Sequence, residues 1–152
     1  MSSNEERTGL RDMKLSNHLR EYENCFITDL DGLLLGFNWE KPVGLFEMKH
    51  KNLVQIVKES YRYHVQAAIT LADNSGIGFY YVIYNPDKWI FNIAPMNEYA
   101  QKDMESKTPQ IYSDADFYRF QCKLRSKAPV KEFSEVKDWC HPEMRKHILD
   151  AA

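Results

Sequence analysis

The sequence predicts a mixed α/β domain built around a central sheet. Apolar runs of strand length recur between about residues 25 and 94, and segments of helical periodicity stand between and after them. Clusters of turn-forming residues punctuate these runs at 38–42, 73–76 and 85–88.

From the N-terminus, residues 1–8 are expected to form a disordered tail and residues 9–22 a loosely periodic helix carrying Met13, Leu15, Leu19 and Tyr22. Residues 25–37 read as a strand bent at Gly32, and residues 43–49 as the strand that returns. The tip Asn38-Trp39-Glu40-Lys41-Pro42 joins them into a hairpin. Residues 52–64 read as the clearest helix. Leu53, Ile56, Val57, Ser60, Tyr61 and His64 recur at spacings of three and four, and Asn52 is a suitable cap. Residues 65–71 then read as a buried strand. Two more strands are expected at 78–84 and 89–94, joined by the turn Asn85-Pro86-Asp87-Lys88. Residues 95–112 read as irregular or weakly helical. Ser113, with Asp116 three residues on, caps a helix over 114–126 that sets Phe117, Phe120 and Leu124 opposite a basic side. A short last helix begins near Pro142.

The 152 residues are expected to form one domain, with a core over about 9–126 and an extension over 127–152. Hydrophobic residues make up 43% of the chain and aromatic ones 13%, enough for a buried core. No apolar run approaches the roughly 20 residues that span a membrane, and the polar N-terminus has no signal core. A soluble cytoplasmic protein is therefore expected. Cys25, Cys122 and Cys140 are far apart and suggest no zinc site.

The net charge is −2, without the basic excess that often marks a nucleic-acid binder, but the charges are segregated. Residues 119–131 carry five bases and no acid, whereas residues 21–31 carry four acids and no base. The segregation suits a carboxylate site beside a surface that attracts anions. A solvated helix face beside an acidic loop accounts for it equally well.

Strand alternation gives Asp29, Asp31, Leu33 and Leu35 one parity, and Val43, Leu45, Glu47 and Lys49 another shared one. In a hairpin the start of one strand lies beside the end of its partner. Asp31 is thus expected near Glu47 and Lys49, on one face. Two carboxylates on neighbouring strands suit Mg²⁺ (or Mn²⁺), with the Met48 carbonyl as a further oxygen ligand. Such a metal activates water against a phosphodiester, and a lysine beside it stabilises the charge that develops. Acid-x-Lys alone is weak, since Asp12-Met13-Lys14 and Glu135-Val136-Lys137 also occur. Only Glu47-Met48-Lys49 closes an apolar strand paired with an acid-bearing one and precedes a helical stretch.

Asp31-Gly32-Leu33-Leu34-Leu35 followed by Gly44-Leu45-Phe46-Glu47-Met48-Lys49 resembles the PD-(D/E)-x-K nuclease superfamily, and is most similar to Holliday-junction resolvases and small phage nucleases. The resemblance covers about residues 20–60 by motif and about 9–94 by order of elements, with Leu30 standing where the family's proline would be. It implies a restriction-endonuclease-like core, a central mixed β-sheet flanked by helices. It also implies a Mg²⁺-dependent hydrolase that cuts DNA, in which Asp31, Glu47 and Lys49 are catalytic and Asp31 and Glu47 hold the metal. The family's upstream glutamate corresponds to Glu21 or Glu23, and Asp29 is either an accessory ligand or a surface residue.

His50, Lys51 and Gln55 are candidates for contacting DNA, as are Lys123, Arg125 and Lys127 on the basic helix. Tyr80, Tyr81, Tyr84, Trp89 and Phe91 suit either core packing or stacking on unpaired bases. His64 reads as a helix-end or core residue. Cutting two strands would imply a homodimer. The alternatives are a catalytically inactive nucleic-acid-binding or regulatory module on the same fold, and an unrelated ligand- or protein-binding domain.

Overall fold

A computed structural model of the chain describes residues 30–38, 40–50, 62–128 and 142–151, together with positions 18, 21 and 58. Among these residues the elements are β1 (Gly32–Leu35), β2 (Pro42–Lys49), α1 (Tyr63–Ser75), β3 (Gly78–Asn85) and β4 (Ile90–Pro95). There follow α2 (Glu98–Met104), β5 (Gln110–Tyr112), α3 (Asp114–Arg125) and α4 (Pro142–Ala151). No helix among the described residues is long and apolar enough to cross a membrane.

The strands form one mixed sheet in the order β1-β2-β3-β4-β5. β2 and β3 are parallel, and every other neighbouring pair is antiparallel. Parallel neighbours need a long crossover, and α1 lies within it. The sheet separates two cores. Leu45, Phe79, Tyr81 and Ile83 pack with Val65, Ala68 and Ala72 of α1. Phe46, Tyr80, Val82 and Ile93 pack with Phe117, Phe120 and Leu124 of α3. The central strand β3 is buried from Gly78 to Ile83, as a strand covered on both faces must be.

The hairpin forms as expected, with β1 shorter than the sequence suggests. Asp31 precedes it and Gly36 follows it, outside the ladder. Gly36 N–H still bonds the Lys41 carbonyl at 2.8 Å, and Gly36 lies so close to the residues after α3 that a Cβ there would meet the Ala128 Cβ at 2.2 Å. A register shift falls between Leu34, opposite Gly44, and Leu35, opposite Pro42. Val43 is the extra residue, and such a bulge reverses the side-chain parity beyond it. Val43 accordingly joins the α3 core while Leu45 joins the α1 core, which corrects the shared parity expected for these two.

Residues 65–71, expected as a strand, belong to α1. Val65, Ala68 and Ala72 are buried, whereas Gln66 and Ala67 are exposed, a one-sided pattern of period near 3.6. Alanine is the strongest helix former, and Gly76 closes the helix in the left-handed conformation at φ 70, its N–H bonding the Ala72 and Asp73 carbonyls. The helix expected over 52–64 falls mostly outside the described residues. Its far end is corrected, because the Arg62 backbone is extended (ψ 149) and a separate helix begins at Tyr63. Strands β3 and β4 agree with expectation. So does α3, where the Ser113 side chain accepts from the Asp116 N–H, and so does α4 from Pro142.

The stretch 95–112, expected to be irregular, contains α2 and β5. Buried Asn97 organises it. Its Oδ1 accepts from the Ala100 N–H, capping α2, and from the Phe79 N–H of β3, each at 3.0 Å. Its Nδ2 donates to Asp73 Oδ1 and to the Ile77 carbonyl, each at 2.9 Å. One side chain thereby ties the end of α1, the start of β3 and the start of α2.

Candidate metal-dependent hydrolytic site

The β1–β2 register places Gly32 opposite Phe46 and Leu33 opposite Leu45. One residue further, Asp31 comes abreast of Glu47. Asp31 is exposed, and its Oδ2 accepts a hydrogen bond from the Met48 N–H at 3.0 Å. This bond extends the hairpin by one rung with a side chain in place of backbone.

Glu47 is 7% exposed, a rare burial for a carboxylate. It shares the α1 face with Leu45 and Lys49, because alternate residues of a strand point the same way. Lys49 Nζ lies 2.9 Å from Glu47 Oε1, and His64 Nε2 of α1's first turn lies 3.9 Å from the same oxygen. Burial raises the Glu47 carboxyl above its ordinary range. The Lys49 hydrogen bond and charge and the His64 charge oppose the rise, while the neighbouring Asp31 carboxylate adds to it. In the parallel register Glu47 stands opposite Tyr81, and Lys49 opposite Ile83.

Asp31, Glu47 and Lys49 therefore meet at the end of the hairpin. The Met48 side chain turns to the other face and is 40% exposed. His64, read as a helix-end or core residue at the close of a 52–64 helix, instead stands half-buried in the first turn of α1, and its nearness to Glu47 had no sequence signal. They stand 17 positions apart in the chain, and their contact depends on α1 crossing that face of β2.

The other candidates distribute differently. Glu21 is exposed, its N–H bonded to the His18 carbonyl, and it is not one of the charged groups that act on the Glu47 carboxyl. Glu23, Asp29, Lys51 and Gln55 lie outside the described residues. His50 is exposed and stacks on Tyr84, with ring centroids 5.6 Å apart. The three bases of α3 and its end all make contacts within the protein. Lys123 Nζ donates to the Asp103 carbonyl at 3.2 Å, and Lys127 Nζ pairs with the Asp103 carboxylate. Arg125 Nε donates to the Leu35 carbonyl at 2.9 Å, and its guanidinium stacks over Phe37 at 4.6 Å.

Among the described residues no three His, Cys, Asp or Glu side chains gather into a ready-made metal cage. The candidate donors at the hairpin end are instead the Asp31 and Glu47 carboxylates, with the Met48 carbonyl expected as a third, all hard oxygens. That chemistry fits Mg²⁺, which keeps several of its own waters. A divalent cation would also relieve the repulsion that Asp31 exerts on the buried Glu47 carboxylate.

Comparison with protein-family models, curated proteins and solved structures found no match to this chain.

Proposed function

We propose that the protein is a divalent-metal-dependent phosphodiesterase and, within that class, a nuclease that cuts DNA in the manner of the PD-(D/E)-x-K superfamily. One observation carries the reading. Asp31, Glu47 and Lys49 converge at the end of one hairpin, with Glu47 buried and Lys49 Nζ 2.9 Å from it. The mixed sheet with a helix between parallel strands β2 and β3 is compatible with a restriction-endonuclease-like core.

In this reading Asp31, Glu47 and the Met48 carbonyl hold Mg²⁺ or Mn²⁺, which supplies a more acidic bound water and a positive charge beside the phosphate. The Met48 N–H fixes the Asp31 carboxylate through Oδ2. Lys49, held beside Glu47, presents its ammonium where negative charge grows on the phosphate. The protein acts on DNA in the cytoplasm, and cutting paired strands would call for a homodimer.

The second reading is a catalytically inactive module that binds nucleic acid on the same fold. A panel of supercoiled, linear, single-stranded and four-way-junction DNA with Mg²⁺ or Mn²⁺ separates the two. The nuclease cuts at least one form, loses activity to a chelator, and loses about 100-fold or more in rate on Lys49→Ala. Cutting that survives Asp31→Ala, Glu47→Ala and Lys49→Ala alike would place the chemistry elsewhere. Salt-sensitive binding without cutting would select the inactive module.

A further inference from the structure

Aromatic rings gather at the same end of the sheet as the candidate site, on its opposite face. Tyr84 of β3 is the cross-strand partner of Phe91 of β4, and Phe91 is the partner of Tyr112 of β5. His50, the residue directly after Lys49, stacks on Tyr84 with an interplanar angle of 22°. These four rings form one row, from the end of β2 to the far edge of the sheet. Phe91 and Tyr112 are covered, since Phe91 packs on Phe117 at 4.6 Å and Tyr112 on Phe120 at 5.5 Å. Its other end is open, with His50 exposed and Tyr84 half-buried.

Trp89 adds a further ring. It stacks on Phe91 with an interplanar angle of 26° and remains 53% exposed. Its backbone is left-handed, at φ 48. A bulky residue seldom adopts that conformation, and glycine or asparagine would suit the position better. Burial does not compensate, because half of the side chain faces solvent. A strained residue that displays an aromatic face points to a role outside the fold. The turn that carries it also holds exposed Lys88 and exposed Asp87, so its own charges balance.

β2 and β3 both end at this rim, and Lys49 is paired with Ile83, the residue before Tyr84. A chain of nucleotides crossing the rim would reach the carboxylates on one side and the rings on the other. Paired bases keep their faces stacked within the duplex and offer a protein phosphates and groove edges. Unpaired bases offer a π-face, which aromatic side chains bind with little regard to sequence.

Resting on the nuclease reading, we propose that the substrate presents unpaired nucleotides, as a single strand or an overhang, whose bases stack on Trp89 and the His50–Tyr84 pair beside the phosphodiester held at Asp31, Glu47 and Lys49.

The test measures binding by fluorescence anisotropy in a chelator, where nothing is cut, with the full chain. The probes are an oligothymidylate and a blunt duplex of equal length. Oligothymidylate should bind more tightly. Trp89→Gly, which suits the left-handed backbone, should weaken that binding about 10-fold and leave duplex binding unchanged, and Trp89→Phe should restore most of it. Equal or tighter binding of the blunt duplex overturns the proposal, as does unchanged binding by Trp89→Gly. A concentration-dependent dimer that dissociates on Trp89→Gly would assign the rings to a second copy and overturn it too. The nuclease reading is judged separately, by metal-dependent cutting and its loss on Lys49→Ala. Cutting that ignores Trp89 leaves that reading standing and rejects this one.

Discussion

Glu47 is the residue on which the candidate site turns. It is buried against α1 beside a second carboxylate, so its proton is held more tightly in the folded chain than in the unfolded one. Between the ordinary glutamate value, about 4.3, and the raised one, the folded state keeps a proton that the unfolded chain has released. Stability from this group is therefore complete below the ordinary value and is lost as pH rises through the raised one. Glu47→Gln removes the titration. Its thermal midpoint should gain on the wild type as pH rises across that window, and midpoints measured in parallel from acid to neutral pH check this. If Asp31 and Glu47 share a cation, Mn²⁺ should raise the wild-type midpoint at neutral pH, and neither Glu47→Gln nor Asp31→Asn should respond as strongly. Tyr80 is a second buried titratable group. Burial and the Asp103 carboxylate push its hydroxyl far above its ordinary range, and it donates to Asp103 Oδ2 at 2.6 Å. Tyr80→Phe should cost about 1–2 kcal/mol in urea unfolding by leaving Asp103 short of a donor.

At the scale of elements, short pieces are held by single side chains. α2 has seven residues, too few to stand alone in water, and Asn97 anchors it. Asn97→Ala would strip the cap and leave the Phe79 N–H and Ile77 carbonyl without their partner. A loss of about 3 kcal/mol is expected in denaturant unfolding. The basic end of α3 is similarly bound into the structure. Lys123 and Lys127 both reach Asp103 on α2, and Arg125 reaches the Leu35 carbonyl at the end of β1. Arg125→Ala should therefore lower the thermal midpoint in the absence of any nucleic acid. If it alters DNA affinity while the midpoint stays unchanged, the contact to Leu35 has little structural weight and the phosphate-contact expectation gains. Segregated charge on α3 was visible in the sequence. That these cations contact other parts of the protein was not, because their partners lie 20 to 90 positions away.

At the scale of the molecule, a mixed sheet with one helix layer on each face brings the ends of β2 and β3 together and sets carboxylates and aromatic rings on opposite sides of one rim. The amino-acid order alone predicts the elements whose signals are local. The hairpin with its acid-x-Lys end at Glu47-Met48-Lys49, the turn-bounded strands β3 and β4, and the Ser113-capped α3 all follow from alternation, turn chemistry or capping among near neighbours. It also placed Asp31 beside Glu47 and Lys49, since hairpin pairing is nearly a local rule. Tertiary structure decided the rest. Residues 65–71 are uniform enough in apolarity to read as a strand, and only packing on one side of the sheet selects the helical period. The bulge at Val43 reverses a parity that no composition announces. Asn97 and β5 gain their roles from partners far along the chain, as His64 does from the path of α1 across β2. Local rules set which residues form the carboxylate pair. Only the packed sheet decides how deeply Glu47 is buried and which histidine stands beside it, because burial belongs to the assembled layers and not to any one segment.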